Sequence, residues 1–222
     1  MLFDLRSRGR RRTVQVVYLG LALLMGGGLV LFGVGAGNGL GGLLNAFTGG
    51  GSGNNQSQAV SQQEKTALRE TRQNPNNAAA WAALLNARWI NATSNTNDYN
   101  QSTGTFTDAG KKEVTNATDA WQRYLTLTKN PDPNLAVLAA RAYAQVGDYG
   151  NASSAWEIQS LANPSAAKGY ECLAATAYAA KQTRKGDLAL AKALSLVPKL
   201  SRTTLKNEIS AAKTTPSVAQ GC

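Results

Sequence analysis

The chain has 222 residues, a formal net charge of +10, no histidine and two cysteines, and its length fits one folded domain with appendages. The lack of histidine removes the commonest general base and metal ligand, and two cysteines cannot complete a zinc site. No basic run with interleaved aromatic residues follows Arg12, which argues against nucleic-acid binding. We therefore expect a non-enzymatic protein without catalytic, cofactor-binding or metal-binding residues, and without a small-molecule substrate.

The chain begins with a basic segment, residues 1–12, which is followed by a long apolar stretch. The segment from Val14 to Val34 contains no charged residue, and at about 1.5 Å per residue its length matches a bilayer core of about 30 Å. We predict a transmembrane helix over residues 13–37, with the basic end in the cytoplasm and the remainder of the chain outside it. The alternative is a signal peptide that is cleaved near Ala36, which gives a secreted protein.

Glycine, asparagine and serine dominate residues 38–57, which are predicted to form a flexible linker. A helical domain is expected over residues 58–213, because alanine is frequent and β-branched runs are few. Its first two long helices with large apolar residues begin near Ala78 and Ala109. Between them, residues 92–108 are polar and rich in turn-forming residues, so we expect an exposed insertion there.

The clearest pattern lies between Pro131 and Pro164, where two amphipathic helices flank a turn at 147–149. Pro131, Pro164 and Pro198 end segments that recur with a period of about 34 residues. This period, together with alternating small and large residues, resembles the tetratricopeptide repeat family. The matching residues are Ala140, Tyr143, Gly147, Asp148, Tyr149, Ala152, Trp156 and Pro164, followed by Tyr170, Leu173, Ala174, Ala193 and Pro198.

The chain departs from the family pattern at three places. Gln159 and Gly186 stand where alanine is usual, and Lys181-Gln182-Thr183 stands where a Gly-Asp-Tyr turn is usual. The resemblance implies an all-α array of about three degenerate helical hairpins, preceded by the transmembrane helix. A polar helix over about 202–213 is expected to cap the end of this array. An unrelated all-helical bundle is the alternative.

The tail of the chain, residues 214–222, is predicted to be disordered. It ends with Cys222, and the other cysteine, Cys172, lies near the apolar stripe of a predicted helix. Either the tail folds back and the two cysteines form a disulfide, or Cys172 is simply a small buried side chain.

Protein–protein interaction is the expected function, because stacked helix pairs present a concave face built from the first helix of each pair. Arg141 and Lys168 on that face are suited to binding an acidic segment or a peptide carboxylate. The alternative interpretation is that they are ordinary solvated surface residues. The candidate partner-binding residues are Arg88, Arg141, Gln145, Lys168 and Glu171.

The layout of a basic cytoplasmic end, one span and an extracytoplasmic repeat domain resembles bacterial envelope proteins that accompany the secretion translocon. The start of the chain also resembles the anchor of membrane-bound periplasmic prolyl-isomerase chaperones, although no isomerase domain follows. These resemblances imply assistance to protein export or to envelope assembly. The alternative is a structural or assembly subunit that acts mainly through its span, in which glycines at 26, 27 and 28 allow close helix packing or are simply tolerated.

Overall fold

The structure, a computed structural model, describes residues 53–222, with side chains from residue 60 onward. This part of the chain is mostly helical, which confirms the all-α prediction. The elements are α1 Gly53–Gln73, α2 Ala78–Ser94, β1 Tyr99–Asn100, β2 Thr105–Phe106, α3 Asp108–Leu127, α4 Pro133–Gln145, α5 Tyr149–Ala162, α6 Ala167–Ala179, α7 Thr183–Leu196 and α8 Arg202–Ser210. Short 3-10 helices flank or follow α8, at Lys199–Ser201, Ala211–Lys213 and Pro216–Gly221.

Consecutive helices pack against each other in three successive hairpins, which are α2–α3, α4–α5 and α6–α7. Each hairpin also contacts the next, through α3 and α4 and then through α5 and α6, while α8 packs on α6 and α7. Alanine supplies most of the buried positions, so neighbouring helices can approach closely while a few large side chains fill the remaining space. The largest of these buried side chains are Trp121, Tyr124, Tyr143, Trp156 and Tyr178.

The turns of the second and third hairpins have the same backbone geometry, although their sequences differ. Gly147 has a φ of 82°, and Lys181, at the matching position one repeat later, has a φ of 61°. The amide of the next residue donates to a carbonyl five residues back, at 2.9 Å from Asp148 and at 2.8 Å from Gln182. A left-handed residue at the end of a helix allows this hydrogen bond. The sequence departure at Lys181 therefore leaves the path of the turn unchanged.

At each of the other two departures from the repeat pattern, Gly186 and Gln159, a glycine lies next to a larger side chain. The ring of Tyr178 lies against Gly186, where a Cβ atom would clash with it, whereas the matching position of the second hairpin is Ala152. Likewise, a Cβ atom at Gly169 would clash with the side-chain oxygen of Gln159. In both places a larger neighbour is balanced by the loss of a methyl group, which keeps the helices at close distance.

The predicted insertion at 92–108 is partly a packed element rather than an exposed loop. The helix α2 continues to Ser94, and Tyr99 then pairs with Phe106 in a short antiparallel hairpin. Phe106 is 8% exposed, and its ring centroid lies 4.7 Å from that of Tyr99 and 6.0 Å from that of Trp89. The three aromatic rings extend the core of the first hairpin into the insertion.

The tail, residues 214–222, is ordered, so the prediction of disorder is wrong. Pro216–Gly221 forms a 3-10 helix that packs against α4 and α6, and Ala219 within it is fully buried. Cys222 forms a disulfide with Cys172 on α6, and their Cα atoms are 5.4 Å apart. The tail owes its position to these long-range contacts, which its polar local sequence does not indicate.

The N-terminal predictions lie mostly outside the described residues. These are the basic segment 1–12, the transmembrane helix 13–37 and most of the linker 38–57. Within residues 53–222, no helix is both long enough and apolar enough to cross a membrane. The helix α1 begins at Gly53, so the last residues of the predicted linker are helical.

Candidate functional site

The candidate site is the surface of α4 and α6 on which the tail lies, which we call the α4–α6 face. These two helices are the first members of the second and third hairpins. The face contributes Arg141 and Gln145 from α4 and Cys172 from α6 to contacts with the tail. It belongs to the set of first helices on which the sequence predicted partner binding, and its present occupant is a segment of the same chain.

Two side chains of α4 bind main-chain oxygens of the tail. Arg141 Nε donates to Cys222 O at 3.1 Å, and Gln145 Nε2 donates to Gln220 O at 3.4 Å. Because the two donors are four residues apart, they project from the same side of the helix. Every residue of a peptide offers a main-chain oxygen, whatever its side chain, so these contacts position a segment without selecting its sequence.

Gln220 is also held by the second hairpin. Its side chain hydrogen-bonds Tyr149 at the start of α5. Burial raises the pKa of the Tyr149 phenol above its ordinary value, and the hydrogen bond to Gln220 partly offsets that increase. Since Tyr149 directly follows the turn at Gly147 and Asp148, the turn contributes a side chain to the binding of the tail.

The apolar contribution of the tail is small. Ala219 is fully buried, but it is the one buried residue among residues 214–222, and Val218 is 42% exposed. A buried methyl group contributes only about 0.8 kcal/mol. The disulfide between Cys172 and Cys222 is therefore the strongest link between the tail and the face.

A cluster around Lys213 fixes the chain just before the tail. Lys213 Nζ lies 4.1 Å from the centroid of the Tyr178 ring and 3.6 Å from Asp187 Oδ1. Tyr178 Oη donates to Asp187 Oδ1 at 2.7 Å, and Lys181 Nζ donates to Lys213 O at 2.9 Å. The hydrogen bond from Tyr178 and the charge of Lys213 lower the pKa of Asp187, while burial raises the pKa of Tyr178. The start of the tail is thereby tied to the third hairpin.

The structure brings two of the predicted partner-binding residues, Arg141 and Gln145, together at the tail. Lys168 and Glu171 instead pair with each other on α6, with 3.8 Å between Lys168 Nζ and Glu171 Oε2. The predicted clamp between Arg141 and Lys168 is therefore not formed around the tail, whose oxygens are bound by Arg141 and Gln145. The role of these four residues in binding a separate protein stays a prediction.

Arg88, the fifth predicted residue, lies between the first helices of the described region. Its Nη1 donates to Asn116 O at 2.6 Å, and its Nε lies 3.5 Å from Glu64 Oε1. Glu64 also accepts a hydrogen bond of 2.7 Å from Asn91. With a side chain that is 17% exposed, Arg88 links α1, α2 and α3 within the fold, which corrects its assignment to an open binding surface.

Sequence reasoning missed three residues that hold the tail or its start, namely Tyr149, Lys181 and Lys213. It missed them because the tail was expected to be disordered, and a disordered segment has no fixed neighbours. The signal that pointed to them was the pair of cysteines, since a disulfide between Cys172 and Cys222 requires the tail to return to α6.

No family model, curated protein or solved structure matches the chain. The tetratricopeptide resemblance therefore rests on the residues of this chain and on their spacing. Within residues 53–222, no group of three or more cysteine, aspartate or glutamate side chains is placed to hold a metal ion.

Proposed function

We propose that the chain is a membrane-anchored, tetratricopeptide-like scaffold that binds a protein partner outside the cytoplasm through the α4–α6 face. The observation that carries the proposal is the seating of the tail on that face. Arg141 and Gln145 bind main-chain oxygens there, which is the contact that a surface needs in order to hold a peptide segment of another protein.

The repeat geometry supports the tetratricopeptide-like part of the proposal. Gly147 and Lys181 have the same left-handed conformation at matching positions of successive hairpins. Trp156 and Leu190 also occupy matching positions, and both are buried in the second helix of their hairpin. A common period of about 34 residues in both backbone and core is typical of this repeat architecture.

The disulfide and the N-terminal sequence support a location outside the cytoplasm. Disulfides persist in oxidising compartments and are rare in the cytosol, and the chain pairs Cys172 with Cys222. The apolar residues 14–34 after a basic segment favour an anchor with its N-terminus in the cytoplasm. Cleavage near Ala36, which gives a secreted protein, is the alternative. In such a compartment the scaffold would assist protein export or envelope assembly.

The proposal includes no reaction, cofactor, small-molecule substrate or nucleic acid. The absence of histidine in the sequence and the lack of a nucleophile–base pattern are the reasons for this choice.

The test is in-cell crosslinking of the tagged full-length chain, followed by recovery in mild detergent and identification of the crosslinked proteins. Arg141→Glu reverses the charge on the α4–α6 face, and we expect it to reduce recovery of a specific partner at least about tenfold, as loss of a charged hydrogen-bond donor does. Lys112→Glu on α3 makes the same charge change at an exposed position away from this face and should leave recovery unchanged. Equal recovery with both variants would contradict the proposal.

A second candidate function is that of an assembly subunit that acts mainly through residues 13–37. The glycines at 26, 27 and 28 favour it, because small residues let two membrane helices approach closely. Replacing the apolar segment by an unrelated membrane span distinguishes the two functions. Recovery of the partner after the replacement supports the scaffold, and loss of the partner supports the assembly subunit.

A further inference from the structure

We propose that the tail, residues 214–222, is a disulfide-latched occupant of the α4–α6 face, and that opening of the disulfide releases the tail and frees the face. This inference rests on the proposed function, since it concerns the same face. The partner that it implies is a peptide segment of another protein. That segment would present main-chain oxygens to Arg141 and Gln145 and a small side chain in the place of Ala219.

The disulfide decides whether the tail stays on the face, because the other contacts are few. Two hydrogen bonds of 3.1 and 3.4 Å join the tail to α4, and a third joins the side chain of Gln220 to Tyr149 on α5. Partly exposed hydrogen bonds of this kind compete with water. Ala219 is the one buried residue among residues 214–222. A covalent link keeps the effective concentration of the tail at the face high, and that advantage falls when the link opens.

The segment that leaves begins after Lys213. The side chain of Lys213 contacts Tyr178 and Asp187, and its main-chain oxygen accepts a hydrogen bond from Lys181. None of these contacts depends on the disulfide. The movement is therefore confined to residues 214–222, and the helices that carry the face remain in place.

A dithiol reductant supplies the electrons for opening. Its thiolate attacks the sulfur of Cys222, which is partly exposed, whereas Cys172 is fully buried. The S–S bond breaks, a mixed disulfide forms at Cys222, and the sulfur of Cys172 leaves as a thiolate and takes up a proton. The second thiol of the reductant then displaces the sulfur of Cys222. The reductant ends as a disulfide and both cysteines end as thiols.

The first experiment uses the full-length chain with Cys222→Ser in mild detergent and measures alkylation of Cys172 by a maleimide. Cys172 is fully buried with the tail in place, so the reagent reaches it when the tail has left. We expect a rate within about tenfold of that for an exposed thiol, because the open state makes up at least about a tenth of the population once the latch is gone. Slow alkylation, limited by unfolding of the whole domain, would overturn the proposal.

A synthetic peptide with the sequence of residues 214–222, carrying the same Cys222→Ser change, tests recognition by the face. At millimolar concentration it should slow the alkylation of Cys172 at least about twofold. Adding Arg141→Ala to the protein should abolish this protection, whereas Lys112→Ala should retain it. Failure of the peptide to protect Cys172 would contradict recognition of the tail by the face.

Two further measurements separate this inference from the proposed function. Circular dichroism of the wild-type chain should show unchanged helix content after treatment with a dithiol, and a loss of helix would mean that the disulfide is a support of the fold instead. Partner recovery should be at least about threefold higher for Cys222→Ser than for the oxidised chain, because a larger fraction of the molecules then has a free α4–α6 face. Equal recovery would reject the latch and leave the proposed function intact, whereas tail release without any Arg141-dependent partner would reject the proposed function alone.

Discussion

The second and third hairpins turn with the same backbone geometry on different residues, and two of the differences lie where the third hairpin holds the end of the chain. The second hairpin turns at Gly147, whereas the third turns at Lys181, whose side chain donates to Lys213 O. The second has Ala152 where the third has Gly186, which makes room for the ring of Tyr178 beneath Lys213. Two of the three departures from the repeat pattern, at Lys181 and at Gly186, therefore also help to fix the start of the tail.

The largest difference between the two hairpins is expected when the disulfide is removed. The loop that the disulfide closes contains α7 and α8 and excludes the second hairpin. The two cysteines are 50 residues apart. Closing a loop of that length reduces the conformational entropy of the unfolded chain, which raises the free energy of unfolding by up to about 4 kcal/mol. Replacing both cysteines with alanine should lower the free energy of unfolding by up to that amount. Hydrogen exchange should accelerate in α6 and α7 more than in α4 and α5. An equal increase in both hairpins would mean that they open as one unit.

The next largest effect on stability is expected at Gly186, whose matching position in the second hairpin is Ala152. Gly186→Ala should destabilise the chain by about 1–3 kcal/mol, because its methyl group would clash with the Tyr178 ring and force repacking. Helix propensity alone predicts the opposite sign, a gain of up to about 1 kcal/mol. Denaturant unfolding measures the change, and Tyr178→Ala provides the control background, in which the clash is absent. If Gly186→Ala stabilises the wild-type chain, the ring does not require the glycine.

Substitution of the left-handed turn residue in each hairpin should have a smaller effect. Gly147→Ala should cost about 1 kcal/mol, because no atom lies near its added methyl group and the cost is that of a left-handed alanine. Lys181→Gly relieves the same backbone cost but removes the hydrogen bond to Lys213 O, so its net effect should be smaller than that of Gly147→Ala. Thermal unfolding of both variants measures the difference. Equal destabilisation by both would show that the side chain of Lys181 matters more than its backbone conformation.

The smallest effect is expected from the pH dependence of the Lys213 cluster. The hydrogen bond from Tyr178 and the charge of Lys213 lower the pKa of Asp187 in the folded chain. A lowered folded pKa contributes stability at pH values above the unfolded pKa of about 4, and this stability is lost as the pH falls through the folded pKa. Asp187→Asn should therefore flatten the dependence of the melting temperature on pH below about pH 4 by a small amount. The second hairpin has the uncharged Ser153 at the equivalent position, so Ser153→Ala should leave the slope unchanged.

Most of the helical architecture was predictable because its signals are local. The prolines at 131, 164 and 198 and the alanine-rich stripes indicated the helices and their pairing, and hydrophobic periodicity depends only on near neighbours. The turn at Lys181 looked like a break in the pattern. It is not one, since the hydrogen bond that closes the turn is between main-chain atoms and lysine tolerates a positive φ at a modest cost.

The candidate site was predictable only in part, because it depends on contacts between distant segments. Arg141 and Gln145 were found from their place on the first helix of a hairpin. Their partners, Cys222 and Gln220, lie 81 and 75 residues away, in a tail whose polar composition is typical of disorder. Arg88 was misassigned because nothing in its local sequence reveals that Glu64 and Asn116 O surround it.

Site-specific photocrosslinking in cells tests most directly whether the α4–α6 face binds a protein segment. A photoreactive residue would replace Asn134, an exposed residue two turns before Arg141 on the same side of α4, in one full-length variant and Lys112 on α3 in another, each with and without Cys222→Ser. We predict a specific crosslinked protein from position 134, stronger when the disulfide is absent, and none from position 112. The same crosslinked proteins from both positions, or none from position 134 with the disulfide absent, would show that the face does not bind a partner.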